Sequence, residues 1–215
     1  MKQIIISQSI IQNKRKELLS SLNFEWFKYS SKINFNLIPI SFSNNLSYLH
    51  KIKIDGLIVS GGNGNDLYKF SKKRKNLIRD KFEIKLVNFC IKNKIPILAI
   101  CRGFQLVADI NGSNLIKLSN HIKKNHQITL KNQILKYKKK VLNVNSYHSY
   151  GIKKISKNFN VLATHKDGSI EIGFDKTKKI LGMMFHPERI SKDQIFINKI
   201  VKEFFKNEGN FFSSW

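Results

Sequence analysis

The residues whose types and spacing best suit chemistry lie in one run, Ile95-Pro96-Ile97-Leu98-Ala99-Ile100-Cys101-Arg102-Gly103-Phe104-Gln105. An apolar strand ends at a cysteine and a helical pattern begins at once, the strand–turn–helix context of a nucleophile elbow. So tight a turn needs small residues two before and two after the nucleophile, here Ala99 and Gly103. It exposes the sulfur at the carboxyl edge of the sheet, where open α/β folds place ligands. The helix N-terminus favours the thiolate there. Taken alone, the run fits a buried core cysteine equally well; Cys90, mid-helix between Phe89 and Ile91, reads that way.

Two further stretches carry chemistry. Ser60-Gly61-Gly62-Asn63-Gly64-Asn65-Asp66 follows an apolar strand, and successive glycines can aim backbone N–H groups at an anion or a developing oxyanion. An ordinary turn has the same composition, and neither the dinucleotide fingerprint nor the P-loop ending is present. In Gly182-Met183-Met184-Phe185-His186-Pro187-Glu188, the proline pushes His186 toward extended geometry. His186 and Glu188, two apart, then lie on one side of the chain, the carboxylate orienting the imidazole as in a Cys–His–acid triad. In isolation a surface turn reads the same.

Taken together and in this order, the Gly-Gly loop, Cys-x-Gly-x-Gln and His-Pro-Glu resemble the class I glutamine amidotransferase family over residues 4–190. The resemblance implies an α/β, flavodoxin-like fold: an open, mostly parallel sheet flanked by helices, with a nucleophile elbow. It implies Cys101 as nucleophile on a γ-glutamyl amide, His186 as general base and acid, and Glu188 as its orienting acid. The oxyanion hole falls to the N–H groups of Gly62 and Arg102. Gln105 matches the family glutamine beside the substrate, and Tyr147, Ser149 and Tyr150 belong to the segment holding the glutamate head. One departure is Ala99, where the family usually has glycine. Cys-Arg-Gly-Phe-Gln and Ser-Tyr-His-Ser-Tyr are closer to stand-alone γ-glutamyl hydrolases. Shorter pieces around Lys14-Arg15-Lys16-Glu17, Trp26, Arg79-Asp80 and Val144-Asn145 resemble the γ-glutamyl-CDP-amidate hydrolases of capsule and surface-polysaccharide loci. That implies a nucleotide-linked small-molecule substrate, with Arg15 and Arg79 as candidate cations for its diphosphate. Two other enzymatic readings stay open: a glutaminase subunit feeding ammonia to a partner synthase, and a hydrolase of γ-glutamyl polyamines or γ-glutamyl-aminobutyrate. No cofactor and no metal is expected.

The elements that must position these residues follow from periodicity. Short β-branched runs at residues 2–7, 35–40, 56–60 and 96–100 alternate with helical patterns at 14–31 and 72–93, with another helix after Cys101, which is the sign of an α/β sheet. From His126 the pattern turns to short strands, near 127–130, 141–144, 160–163, 169–174 and 180–185, before a final helix at 192–205. No linker or repeat appears, so one domain is expected over 1–206, with a loosely held tail at 207–215.

The 215 residues carry 39 Lys+Arg against 14 Asp+Glu, a formal net charge of +25. Only Arg15, Arg74, Arg79, Arg102 and Arg189 are arginines, whereas readers of phosphate and guanine favour that side chain. Lysines are spread along the whole length, so a solvated basic surface is expected rather than specific nucleic-acid recognition; a basic nucleic-acid-binding protein with a vestigial elbow is the non-enzymatic alternative. No apolar run reaches the ~18 residues of a membrane span. Two cysteines make no disulfide framework, and a cytoplasmic setting is expected.

Overall fold

The structure, a computed structural model, describes residues 1–42, 45–62, 74–131 and 140–206. Thirteen strands and four helices follow in order: β1 (Lys2–Ser7), β2 (Ser9–Gln12), β3 (Leu18–Ser21), α1 (Glu25–Ile33), β4 (Phe35–Ile40), β5 (Gly56–Val59), α2 (Arg74–Lys92), β6 (Ile97–Ile100), α3 (Arg102–Ile110), β7 (Asn114–Lys117), β8 (Ile122–Leu130), β9 (Val141–Tyr147), β10 (Tyr150–Lys154), β11 (Asn160–His165), β12 (Ile170–Asp175), β13 (Ile180–Met183) and α4 (Gln194–Lys206). A short 3-10 turn covers Ser47–Lys51.

The main sheet runs β4-β1-β5-β6-β13-β12-β11-β8-β9. From β4 to β13 neighbouring strands are parallel; beyond β13 the pairing is antiparallel. Strand alternation divides the core in two. Ile4 and Ile6 of β1, Ile58 of β5 and Leu98 and Ile100 of β6 face α1 and α4, meeting Trp26, Ile197 and Ile200. Ile5, Leu57, Val59, Ile97 and Ala99 face α2 and α3, meeting Leu86, Phe104 and Val107. Both faces being covered, these strands read as continuous apolar runs, as buried parallel strands do. Pro39 sits in β4, at the sheet's edge, where its missing N–H costs no ladder bond.

Because β5, β6 and β13 are adjacent and parallel, with Val59 beside Ala99 and Ile100 beside Met183, the segments leaving them emerge at one edge. Those segments hold Ser60–Gly62, Cys101 and His186. The antiparallel part supplies Tyr147 to Tyr150 between β9 and β10.

The helix expected over residues 14–31 is corrected. Residues 9–21 form a hairpin, β2–β3, which is a two-stranded sheet of its own; helix starts only at Glu25. The Asn13 side chain accepts from the N–H groups of Arg15 and Glu17 at 2.9 and 3.0 Å, and this local turn competes with helix at its first residue. Leu18 and Leu19, which suggested a helical face, are exposed. Strands β7 and β10 were not expected. Residues 63–66, 72–73, 138–139 and the tail 207–215, which carry other expectations, lie outside the described residues. Among the described residues, no helix is long and apolar enough to cross a membrane.

Candidate active site

Cys101 sits between β6 and α3 with φ 49° and ψ −107°, a positive φ that a residue with a β-carbon adopts only when its surroundings force it. Its N–H donates to the Met183 carbonyl at 2.7 Å and its carbonyl accepts from Gln105 N–H at 2.9 Å, so both flanking elements grip the strained residue. Gly103 is required by close approach, since a β-carbon there would lie 2.2 Å from the Val59 carbonyl oxygen. Ala99, at the place of the family glycine, is fully buried beside Gly182 without displacing the turn. Cys90 lies inside the helical core, where burial pushes its thiol up to about 12.

His186 leaves β13 and is held through its backbone. Its N–H donates to Asn145 Oδ1 at 2.9 Å, and Asn145 Nδ2 donates to its carbonyl at 2.7 Å. The ring's Nδ1 lies 2.7 Å from Glu188 Oε1, and the Cys101 sulfur is near enough to act on the ring's charge. Burial alone would lower the imidazole's pKa, but the Glu188 carboxylate and the Cys101 sulfur overcome this and raise it to about 10. The Tyr147 ring stands edge-on to the imidazole, 5.8 Å between centroids. On another side, a β-carbon at Gly61 would lie 2.5 Å from His186 Cε1. The glycine loop is therefore in van der Waals contact with the histidine.

Behind the site lies a buried ionic network. Arg102 pairs through its two terminal nitrogens with Glu83 and Asp80. Arg79 Nε donates to Glu83 at 3.0 Å, and its Nη2 donates to the carbonyls of Ser60 at 3.0 Å and Gly61 at 2.7 Å. Ser7 Oγ donates to Glu83 and accepts from Ser60 N–H. Burial would raise the Glu83 pKa, but Arg102 and Arg79 hold it below its ordinary value. The suggestion that Arg79 meets a diphosphate is thereby corrected: its side chain is 3% exposed and fastens the glycine loop to α2.

The cleft is lined by Ser9, Ser21, Asn23, Trp26, Gly62 and Arg189 among others, with His186 and Glu188 at its inner wall. Gly62 is thus at the cleft, and the Arg102 N–H is in the first turn of α3, whose amides lack intrahelical partners. Gln105 Nε2 donates to the Tyr150 carbonyl at 2.7 Å, tying α3 to the segment 147–150. Ser149 lies in that segment, and its carbonyl accepts from Leu118 N–H. Arg15 is exposed in the β2–β3 turn, outside the residues that line this cleft, its backbone N–H bonded to Asn13. Arg189, not singled out from sequence, lines the cleft and lies over the Tyr147 ring, 4.3 Å from its centroid. Asn145 was also missed as a positioning residue, although the Val144-Asn145 piece carries part of the resemblance. A strained sulfur, an imidazole against it and a carboxylate behind can perform nucleophilic acyl transfer.

The glutamine amidotransferase class-I family model matches residues 18–206. The gamma-glutamyl-CDP-amidate hydrolase of Campylobacter jejuni subsp. jejuni serotype O:2 is 33% identical over 204 residues, covering 93% of this chain and 96% of the relative. A glutamine-hydrolyzing GMP synthase subunit of Methanocaldococcus jannaschii is 27% identical over 186 residues, covering 86% of this chain and 87% of the relative. Among solved structures, a glutamine amidotransferase from Thermotoga maritima shares the fold with a TM-score of 0.62 at 16% identity, over 87% of this chain and 76% of that one. A family model spanning nearly the whole chain, on a fold that brings elbow, glycine loop and His-Pro-Glu to one sheet edge, makes this protein a member of the class I glutamine amidotransferase family.

Proposed function

We propose that the protein hydrolyses a γ-glutamyl amide through a Cys101–His186–Glu188 triad. The observation that carries this reading is the strained Cys101 beside an imidazole that Glu188 holds at 2.7 Å. The Cys101 thiolate attacks the γ-carbonyl carbon, and the oxygen's charge meets the N–H groups of Gly62 and Arg102. The C–N bond breaks as His186 gives its proton to the leaving nitrogen. Water, deprotonated by His186, then attacks the glutamyl thioester, releasing glutamate and restoring the pair. Gln105, Tyr147, Ser149 and Tyr150 hold the glutamate head, Gln105 by positioning the Tyr150 carbonyl.

The leaving group we assign is cytidine diphosphoramidate, the substrate being γ-glutamyl-CDP-amidate as for the Campylobacter relative; this would serve surface-polysaccharide biosynthesis. The cleft holds about 180 Å³, less than the roughly 300 Å³ at the low end of small-molecule sites. A nucleotide must therefore extend beyond it, toward the hairpin. Arg189 is the cation nearest that path, and Arg15 can meet only its far end. A partly dehydrated charged contact contributes about 1.5–3 kcal/mol, so two of them account for a preference over glutamine of about a hundredfold. Steady-state kinetics on both compounds test this. Much higher kcat/KM for the nucleotide is expected, reduced by Arg189→Ala more than by Arg15→Ala, with glutamine turnover unaltered by Arg15→Ala. Comparable kcat/KM for both compounds would refute the substrate and favour an ammonia-supplying role beside a synthase, the second reading, which rests on the likeness to the Methanocaldococcus GMP synthase component.

A further inference from the structure

A second group of titratable side chains, which the proposed hydrolysis does not use, lies in the antiparallel part of the sheet. His121 just before β8, His126 within it and His148 in the β9–β10 turn converge on Glu171 of β12, and His165 at the end of β11 packs on His121 and His126. The chain has six histidines, and four of them are here.

Glu171 is fully buried, and neither of its carboxylate oxygens accepts a hydrogen bond among the described residues. His121 Nδ1 lies 3.8 Å and His148 Nε2 3.7 Å from Oε1, and His126 Nε2 lies 3.5 Å from Oε2. None of these three nitrogens has a hydrogen-bond partner there either. Such separations are long for hydrogen bonds, yet close to the edge, about 3.4 Å, of a tetrahedron with ligand bonds of about 2.1 Å. The ligand atoms of His121, His148 and Glu171 all lie within 4.8 Å of one another.

The outward nitrogens of His121 and His148 are committed. His121 Nε2 is 2.9 Å from Asp167 Oδ2, and His148 Nδ1 donates to the Tyr150 carbonyl at 3.0 Å. Outer partners of this kind fix the tautomer of a metal-bound imidazole and leave its inner nitrogen with a free lone pair.

We infer that His121, His126, His148 and Glu171 bind one divalent transition-metal ion. Imidazole nitrogens together with a carboxylate suit zinc. With four protein ligands and no open position the ion is structural: it fastens β8 and β12 to the turn that carries Tyr147 to Tyr150. This inference does not depend on the hydrolase reading.

Metal analysis of the full chain, purified without a histidine tag from zinc-supplemented growth, should find about one zinc per chain, and Cys101→Ser should keep it. After removal of the ion by a chelator, titration with Co²⁺ should saturate at one equivalent, with the intense visible absorption of tetrahedral cobalt, no thiolate charge-transfer band and a rise in Tm. Glu171→Gln and His121→Ala should lose the ion or bind it at least tenfold more weakly, and Asp167→Asn about 10–100-fold more weakly. Should the ligand variants fail to fold, the stoichiometry, spectrum and Tm of the wild-type titration decide. A chain that takes up neither zinc nor cobalt overturns the inference, leaving a metal-free histidine–carboxylate cluster. So does full binding by a folded Glu171→Gln, or loss of the ion in Cys101→Ser.

Discussion

At Cys101 the strained backbone, the Met183 carbonyl and the His186 ring all act on one sulfur-bearing residue, so its replacement changes chemistry more than packing. Cys101→Ser should fold normally and lose several orders of magnitude in kcat, whereas Cys90→Ser should stay active; rates and circular dichroism on both variants check this. His186→Ala should abolish formation of the acyl-enzyme, because nothing else there can move the proton. Glu188→Gln should leave a reduced but measurable rate, since the carboxylate orients and stabilises the cation. The same pair sets a dependence of stability on pH. The folded His186 pKa, about 10, lies above its ordinary 6.5. Its contribution is therefore complete below pH 6.5 and is lost as pH rises through 10. Urea denaturation of wild type across pH 6.5 to 10 should show that loss, and Glu188→Gln should flatten it. Cys101, His186 and Glu188 were legible in the sequence because their surroundings are local: a strand before, a helix or proline after. Asn145 acts across 41 residues of chain, and Glu83 across 19 to Arg102 and 76 to Ser7, and local spacing carries no mark of such partners.

The elements that meet at the site are coupled by charge inside the core. Glu83 on α2 joins Ser7 of β1, Arg79 of its own helix and Arg102 of α3. Removing one partner of such a buried network leaves uncompensated charge and typically costs about 3–5 kcal/mol. Glu83→Ala should destabilise the fold by that order, and Arg79→Met should also slow turnover by loosening Ser60 and Gly61; chemical denaturation and kinetics separate the two effects. The folded Glu83 pKa lies below its ordinary value of 4.5. Its contribution is thus present above pH 4.5 and is lost as pH falls through the lowered folded value, so Glu83→Gln should lose less stability on acidification than wild type. The parallel strands were legible to within two residues at their ends, since burial on both faces writes unbroken apolar runs. The hairpin was not: its leucines happen to stand at helical spacing, and one asparagine side chain decides the turn. Strands β7 and β10 are short, and their pairing partners lie far along the chain.

For the whole molecule, the net charge of +25 is a long-range field more than a set of contacts. Binding to random DNA should be weak and should vanish as salt rises, with no preferred sequence, in a gel-shift series. The fold class was legible because the alternation of strand and helix persists through the chain's first half. The histidine–glutamate cluster was not, for its members are scattered from residue 121 to 171 without ligand-like spacing. The topology also bears on how such a protein diversifies. The β2–β3 hairpin pairs only with itself, yet Ser9 and Ser21 at its base line the cleft. Its tip, residues 13–17, can be lengthened, shortened or recharged without shifting the register of a single strand in the main sheet. Inheritance can therefore rewrite what leaves with the nitrogen while the bond-breaking machinery stays fixed, a separation that makes new substrates accessible in small steps.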